Sequence, residues 1–323
     1  MILLAGLLFS SCEGVAPVRE GREDVRVVID AFCIQAPVKA PSAEDAVNTL
    51  DVLVFREDGT LEAHARAAGQ TVTVKVAARI PLEYYVIANA PKGSFDTYAD
   101  ISSFREGLVS LSDNASAFVM RGHGSHVFSG EEENLEVRLD RYVSKVLLDN
   151  IVPEFMDTDL AKAGVSLAGV FLVNAVGTTP WSGVPSAGEL WYNRMALDGS
   201  LDDDIAGMLI TPHDIVITTA DPLAVNDALY CCPNPTDNGV TSLETPQWCA
   251  RDTRLVIDLL IGGVHNYYPI DIPAMQGNKC YRVKNATLIG PGSSSPDIPV
   301  TRTGIRYTID VAEWGKEYID INL

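Results

Sequence analysis

The sequence predicts an all-β fold that consists of two tandem β-sandwiches. Runs rich in β-branched and aromatic residues recur about every ten residues in much of the 323-residue chain, a spacing typical of sandwiches and barrels. Only residues 96–107 have the pattern of a helix, and that helix is short. The C-terminal region adds two stretches of strict apolar–polar alternation, which gives a β-strand one apolar and one polar face.

The strand-like runs fall into two series. The first series comprises residues 25–34, 50–55, 71–76, 84–87, 118–120 and 135–139. The second series opens at residues 141–151 and continues with residues 169–174, 255–261, 267–272 and 281–288, around a loop-rich insertion at 178–246. One series closes and the next opens at Asp140, so we predict an N-terminal domain of residues 13–140 and a C-terminal domain of residues 141–323. Asp58 and Gly59 predict a tight hairpin turn after the second run.

The composition indicates a folded protein with an acidic surface. Hydrophobic residues make up 47% of the chain and charged residues 21%, proportions typical of globular proteins. The formal net charge of −19 argues against nucleic acid and anionic surfaces as partners, because both would repel the chain. No internal apolar run reaches the ~20 residues that a membrane-spanning helix needs.

The N-terminus has the layout of a bacterial lipoprotein signal in residues 1–12. Residues 1–9 are apolar, and the small residues Ser10 and Ser11 precede Cys12, whose thiol we predict to be lipidated. No Lys or Arg precedes the apolar run, although a signal peptide usually carries one there. The alternative is a buried first strand, but the nine apolar residues do not alternate and a polar stretch follows them. The signal predicts export to the outer membrane.

Five cysteines remain if Cys12 is lipidated, and export allows disulfides to form among them. They are Cys33, Cys231, Cys232, Cys249 and Cys280. Adjacent cysteines rarely bridge each other, because the bond strains the peptide between them. We therefore predict a disulfide between Cys249 and either Cys232 or Cys231. Closing a loop of that size contributes about 3 kcal/mol in the chain-entropy model.

The sequence offers little that points to catalysis. His123 and His126 could ligate a metal, but a third ligand at recognisable spacing is missing, and a Gly/Ser-rich turn is the favoured interpretation. The acidic residues 202–204 lack the register and the distal Glu of a calcium loop, which favours a solvated loop. The chain has no nucleophile elbow and no Gly-rich phosphate loop. We predict a protein that is not an enzyme and has no cofactor.

Several segments carry a resemblance to a known family. The C-terminal segments are 267–270 (YYPI), 278–281 (NKCY), 290–297 (GPGSSSPD) and Trp314; the upstream ones are 51–59 (DVLVFREDG), 120–122 (MRG), 141–146 (RYVSKV), 230–235 (YCCPNP) and 253–256 (TRLV). In this order they resemble the major fimbrial subunits (fimbrillins) that build the type V pili of Bacteroidota. The C-terminal set is the specific part of the resemblance, whereas each upstream motif alone is weak.

The resemblance implies two transthyretin-like sandwiches, export as an outer-membrane lipoprotein, and proteolysis after a basic residue. Cleavage removes the lipid and the first strand, here residues 25–34, and the empty groove accepts a strand from a neighbouring subunit. The family is usually cut after Arg, yet no Arg lies between Arg26 and Arg56. Lys39 is the remaining candidate. Either a lysine-accepting protease cuts there, or the chain keeps its lipid as an anchor.

The two alternating runs are the candidate donor strands. The first has the apolar residues Ile305, Tyr307, Ile309 and Val311, and the second has Ile319, Ile321 and Leu323. We expect residues 304–323 to lie on their own domain as a hairpin in the isolated subunit and to extend into the next subunit in a filament. Either run could fill the groove.

The sequence thus predicts a structural subunit of a cell-surface fimbria. Its partners would be other copies or related fimbrial subunits, the outer membrane through the lipid before processing, and host or bacterial surface ligands. A lipid-retaining anchor or tip adhesin is the first alternative. A glycan-binding lipoprotein is the second, and it is disfavoured because the four Trp form no paired aromatic motif.

Overall fold

The computed structural model describes residues 23–33, 43–186, 188, 190–195, 209–241 and 248–315. Residues 1–22, 34–42 and 316–323 lie outside this range, and with them Cys12, Lys39, Ile319, Ile321 and Leu323. The acidic residues 202–204 also lie outside it. The described part is nearly all-β, as predicted. Its one α-helix, α1, spans Ile101–Glu106 inside the predicted helical stretch, and Asp100 caps it by accepting a hydrogen bond from the Ser103 amide.

The N-terminal strands form a seven-stranded sheet that folds into two layers. They are β1 Asp24–Cys33, β2 Thr49–Arg56, β3 Leu61–Ala68, β4 Thr71–Ala77, β5 Pro81–Ala88, β7 Met120–Val127 and β8 Glu132–Arg141, with β6 Leu108–Ser110 outside the sheet. The order is β3-β2-β5-β7-β8-β1-β4. Between β7 and β8 only two residue pairs join the layers, Met120 with Arg141 and Arg121 with Asp140. Side chains from both halves share one apolar core, which makes this part a sandwich.

Most of the C-terminal strands form two further sheets that pack face to face. The C-terminal strands are β9 Ser144–Pro153, β10 Val165–Val173, β11 Ala175–Val176, β12 Thr178–Pro180, β13 Trp191–Tyr192, β14 Ile210–Ile217, β15 Leu223–Cys231, β16 Thr253–Ile261, β17 Val264–Ile272, β18 Lys279–Leu288, β19 Ile305–Arg306 and β20 Ile309–Glu313. One sheet has the order β14-β10-β16-β17, and the other has β15-β9-β18 with β19 and β20 along the outer edge of β18, whereas β11 with β13, and β12 with β6, form separate two-stranded sheets. One large core cluster joins the two sheets.

The first strand occupies the same place in both sandwiches. Strand β1 lies between β4, which is antiparallel to it, and β8, which is parallel to it and closes the first series. Strand β9 likewise lies between the antiparallel β15 and the parallel β18. The two sandwiches therefore repeat one topology, in which the first strand sits between a middle strand and the last long strand.

The structure differs from the sequence prediction at several strands. β3 (LEAHARAA) was not predicted, because Ala and His have little β propensity, although Asp58 and Gly59 form the predicted turn between β2 and β3. β14 and β15 lie in the segment that we predicted to be loop-rich. None of the helices in the described ranges is long and apolar enough to cross a membrane.

Candidate functional site

Strand β1 is the buried centre of its layer. Its inward side chains Val25, Val27, Ile29 and Ala31 are between 0% and 3% exposed. Its backbone pairs with β8 on one side, from Arg26 to Cys33, and over seven residues with β4 on the other. We call the space between β8 and β4 that β1 fills the β1 groove. Without β1, this groove would expose apolar side chains and two unpaired strand edges.

The outward face of β1 makes two polar contacts across the rim of the groove. The Arg26 guanidinium lies 3.2 Å from the Glu132 carboxylate on β8. On the opposite rim, the hydroxyl of Thr71 on β4 donates a hydrogen bond of 2.5 Å to Asp30. Both pairs are solvent-exposed, so their contribution to stability is small. They do specify which residue of β1 faces which residue of the rim.

The first predicted donor run lies on its own sandwich. Ile305 pairs with Leu288, and Ile309 pairs with Val283, so β19 and β20 together form an interrupted edge strand beside β18. Only part of the apolar face is buried: Ile305 is 3% exposed, whereas Tyr307 is 38% and Val311 56% exposed. In the described residues this run therefore lies on its own domain at 305–306 and 309–313, and the hairpin and the donor role stay predictions. The second run falls outside the described residues.

The loop before β19 is held by a buried ion cluster around Asp297. This carboxylate is fully buried, as are the side chains of its partners Arg251 and Arg254. Arg251 Nη1 lies 2.9 Å from Asp297 Oδ2, and the Asn174 amide donates to Asp297 Oδ1 at 2.9 Å. Buried charges need such partners, since an unpaired one costs several kcal/mol. The cluster fixes the start of the C-terminal segment to the second sandwich.

A second cluster centres on Glu44, in the single helical turn Ala43–Asp45 that follows residues 34–42. Lys145 Nζ and the Tyr230 hydroxyl donate to Glu44 Oε1 at 2.7 and 2.6 Å. Trp314 Nε1 donates to Glu44 Oε2 at 2.9 Å. We call these four residues the Glu44 clasp. It joins the chain just beyond the predicted cleavage segment to the second sandwich and to the residue after β20.

The surroundings of the Glu44 clasp favour the ionised carboxylate. Burial alone would raise the pKa of Glu44, but the hydrogen bonds from Lys145 and Tyr230 and the charge of Lys145 outweigh it, so the pKa lies below its ordinary value of 4.5. The Arg141 guanidinium covers the Trp314 ring at 4.5 Å from its centroid. Arg141 also pairs with Asp45, which adds a second link from this turn to the start of the second sandwich.

A polar cavity of about 320 Å³ lies beside the Glu44 clasp, where the two sandwiches meet. Arg121, Arg141 and Asn278 contribute to its lining. Arg121 Nη1 donates to the carbonyl of Ser182 at 2.5 Å, and the Arg141 amide donates to Asn278 Oδ1 at 3.2 Å. These two contacts tie the two sandwiches together, whereas the buried hydroxyl of Thr179 in the cavity lining has no hydrogen-bond partner.

The disulfide predicted for Cys249 is not formed. Cys232, Cys231 and Cys249 are free thiols in the structure. Cys231 and Cys232 are fully buried at the end of β15, where they act as core side chains, and burial raises the pKa of Cys231 to about 12. Cys249 is only partly buried. The prediction was wrong in this structure because it rested on sequence spacing, whereas the two buried thiols belong to the packed core.

The two histidines of the sequence analysis lie on β7 and pair with β5, so the predicted Gly/Ser-rich turn is wrong. His126 Nε2 is 3.1 Å from a Glu133 carboxylate oxygen, and His123 stacks on Tyr85 at 5.9 Å between ring centroids. Within the described ranges, no three metal-ligating side chains converge. Both histidines therefore take part in contacts of the first sandwich.

Part of the chain resembles a known protein family. Residues 36–142 match the family model described as major fimbrial subunit protein (FimA). The resemblance to the major fimbrial subunits is confirmed. The match covers most of the first sandwich, from the segment after β1 to the first residue after β8. No curated protein matches the chain.

Solved structures of fimbrial proteins resemble the chain over nearly its whole length. A fimbrilin (FimA) from Porphyromonas gingivalis is 13% identical with a TM-score of 0.64, and the match covers 90% of this chain and 97% of that one. A proposed cell adhesion protein from Bacteroides eggerthii is 20% identical with a TM-score of 0.67, covering 92% and 98%. The tip fimbrial protein Mfa3 from P. gingivalis is 15% identical with a TM-score of 0.55, covering 90% and 100%.

At these identities the structural matches show a shared fold. The family match over residues 36–142 adds support for a structural fimbrial protein. The sequence motifs had indicated this family. The Glu44 clasp and the Asp297 cluster had left no local signal, because their members come from distant parts of the chain.

Proposed function

We propose that this protein is a structural subunit of a cell-surface fimbria that polymerises by donor-strand exchange. The observation that carries the proposal is the position of β1: a strand near the N-terminus fills the centre of a sheet, and the residues just after it are the predicted cleavage segment. Loss of β1 leaves a groove of the right length for another strand. The same chain has an edge strand near its C-terminus with a partly exposed apolar face.

Processing after Lys39 would release β1 and leave a mature chain that begins at Ala40. Lys39 is the only basic residue between β1 and Arg56. The Glu44 clasp and the Arg141–Asp45 pair hold the chain a few residues further on, so the new N-terminus stays fixed to the subunit. A Lys39→Ala variant is expected to fold and to keep its lipid, but to leave filaments unextended. Normal filaments from this variant would move the cleavage site elsewhere.

Export would use Cys12, with two or more fatty acids such as palmitate attached, because a single acyl chain anchors only marginally. The precursor would then sit on the outer membrane until cleavage frees it. We also propose the division into domains 13–140 and 141–323, which agrees with the end of β8 at Arg141 and the start of β9 at Ser144. Labelled fatty acid is expected in the parental chain and not in Cys12→Ser.

The experiment that tests strand donation places a charge on both alternating runs. Val311 is 56% exposed on its own sandwich, so Val311→Asp should be harmless there, whereas the same charge inside a neighbour's groove would be buried without a partner. The full-length double variant Val311→Asp/Ile321→Asp is expected to fold, to be processed and to remain monomeric. A chain truncated after Thr303 should also remain monomeric, but it loses the buried Ile305 and Trp314 and is therefore expected to be less stable.

The matched control is Val216→Asp, which introduces the same charge at a valine that is 70% exposed on the edge strand β14. It should polymerise like the parental chain. Circular dichroism confirms that each variant folds, and electron microscopy of cell-surface material measures the filaments. Normal filaments from the double variant would overturn strand donation.

A lipid-retaining anchor or tip adhesin is the second candidate. The observation that favours it is the lack of Arg between Arg26 and Arg56, since this family is usually cut after Arg. In that case the mature protein on cells keeps both its lipid and β1. It then terminates a filament and does not extend it.

A further inference from the structure

The first alternating run repeats the sequence of β1. Residues 25–31 read VRVVIDA and residues 305–311 read IRYTIDV, which is a constant offset of 280 positions. Three positions are identical: Arg26 matches Arg306, Ile29 matches Ile309, and Asp30 matches Asp310. The other four pair an apolar or β-branched residue with another of the same kind, as shown by Val25 with Ile305, Val27 with Tyr307, Val28 with Thr308, and Ala31 with Val311.

The repeat places apolar side chains on the face that β1 buries. In β1 the odd-numbered residues from Val25 to Ala31 point into the core and are at most 3% exposed. A strand inserted at the same offset would direct Ile305, Tyr307, Ile309 and Val311 to the same positions. Tyr307 is larger than Val27, so the groove must adapt most at that position. Because successive side chains of a strand point to opposite faces, a shift by one residue would turn all four apolar side chains outward.

The polar face carries the same two charges at the same spacing. In the precursor, Arg26 faces Glu132 on β8 and Asp30 faces Thr71 on β4. Once β1 has left, Glu132 and Thr71 remain on opposite rims of the β1 groove. At an offset of 280, Arg306 would meet Glu132 and Asp310 would meet Thr71. A shift by two residues keeps the apolar face inward but breaks both contacts, so these two pairs specify one register.

In the register that keeps an Asp opposite Thr71, the second alternating run fits the groove less well. Aligning Ile319 and Asp320 with Ile29 and Asp30 puts Glu317 at the position of Val27. Val27 is 0% exposed, so this register would bury a carboxylate in the apolar core. The first run has no charge at any of its four inward positions between 305 and 311.

On its own sandwich the first run is buried only in part. Ile305 is 3% exposed, but Tyr307 is 38% and Val311 56% exposed, and the side chains of the Arg306–Glu154 pair are 60% and 46% exposed. Moving the run into a neighbour's groove would bury apolar surface that is now in water, and it would exchange one exposed ion pair for another. Burial of the apolar area of Tyr307 and Val311 therefore favours the exchange, and it works against the loss of the burial that Ile305 has on its own sandwich.

From these observations we infer that residues 305–311 of a second copy of this chain occupy the β1 groove in the register of residues 25–31. The strand runs in the direction of β1, parallel to β8 and antiparallel to β4, and it restores the two rim contacts through Arg306 and Asp310. This inference rests on the proposed function. It adds that the first run is the donor, and it specifies which residue of the groove each donor residue contacts.

Engineered cysteines test the register in full-length protein on cells. Asp30 lies directly opposite Thr71 in the antiparallel pair, so Asp310→Cys with Thr71→Cys should form a disulfide between neighbouring subunits. We expect a ladder of covalent oligomers on non-reducing gels. Asp310→Cys with Thr73→Cys is the control for a register shifted by two residues, and it should give no ladder. Asp320→Cys with Thr71→Cys tests the second run as donor.

A charge exchange gives an independent readout that needs no disulfide. Arg306→Glu alone and Glu132→Arg alone should each slow polymerisation by about two- to five-fold, the range for an exposed ion pair, and the double exchange should restore it. Glu154→Arg removes the partner of Arg306 on its own sandwich and should not slow polymerisation.

The outcomes separate this inference from the function on which it rests. If the Asp310→Cys/Thr71→Cys variant forms filaments without disulfide-linked oligomers, the register is overturned and donor-strand exchange still stands. The same holds if only Asp320→Cys/Thr71→Cys gives such oligomers. Failure of the double charge exchange to restore polymerisation also counts against the register. Failure of the parental chain to polymerise would overturn the proposed function itself, and the register with it.

Discussion

The indole Nε1 of Trp314 donates a hydrogen bond of 2.9 Å to the carboxylate of Glu44, across 270 residues of sequence. Glu44 follows the predicted cleavage segment, and Trp314 follows the edge strand β20. The contact therefore connects the two regions that donor-strand exchange would rearrange. Because Lys145 and Tyr230 bind the same carboxylate, one side chain ties both regions to the second sandwich.

Replacing Glu44 with Gln should destabilise the folded chain. The variant leaves the Lys145 ammonium without its carboxylate and weakens the contact to Trp314, and we expect a loss of about 1–3 kcal/mol in the free energy of unfolding. Glu57→Gln, at an exposed turn position, is the matched control and should change stability little. Urea denaturation measures both. An equal effect of the two substitutions would show that the Glu44 clasp contributes no stability.

Glu44→Gln should also change how the stability of the chain depends on pH. The pKa of Glu44 in the folded chain lies below its ordinary value of 4.5, so its stabilising effect is complete above that pH and is lost as the pH falls through the folded pKa. Between about pH 7 and about pH 3, the parental chain should therefore lose more stability than Glu44→Gln. Parallel pH profiles of the two chains would contradict the depressed pKa.

Asp297→Asn should be far more damaging than substitutions at the surface. It leaves Arg251 and Arg254 fully buried beside a neutral side chain, and breaking a buried ion pair in this way costs about 3–5 kcal/mol. The control Asp271→Asn removes a carboxylate whose side chain is 32% exposed and which contacts the same Arg254, and it should cost less. Thermal unfolding of the purified chains provides the comparison. A larger loss for Asp271→Asn would show that the buried network does not depend on Asp297.

Ile29→Ala should destabilise the unprocessed precursor but not the filament. Ile29 is 1% exposed at the centre of β1, and truncating such a side chain typically costs about 2–5 kcal/mol. The unprocessed subunit should lose this stability, whereas filaments should dissociate at the parental temperature because β1 is no longer part of them. If the filaments were weakened as much as the precursor, β1 would have to be present in both.

The cysteines of β15 should resist labelling in the folded chain. Cys231 is fully buried and its pKa is raised to about 12, so almost no thiolate is available at neutral pH. Iodoacetamide is expected to modify the partly buried Cys249 first and Cys231 only on unfolding. Mass spectrometry of labelled peptides reports the order. Rapid labelling of Cys231 would show that the end of β15 opens locally.

How far the sequence predicted this structure depended on whether the signal was local. Strand β1 and the run at 305–311 were found because alternation and β-branched residues are visible within a few positions. Strand β3 was missed because it is built of Ala and His and owes its conformation to pairing with β2. The Glu44 clasp was beyond prediction, since its partners lie 101, 186 and 270 residues away.

Mass spectrometry of filaments sheared from the cell surface tests the central claim, that β1 is removed and replaced. Digestion with a protease that does not cut after Lys preserves the native end of the chain. The account predicts a mature N-terminus at Ala40, abundant peptides from β4, and none from residues 24–33. Peptides from β1 at the same abundance as those from β4 would contradict it, because a subunit that keeps β1 has no groove to offer.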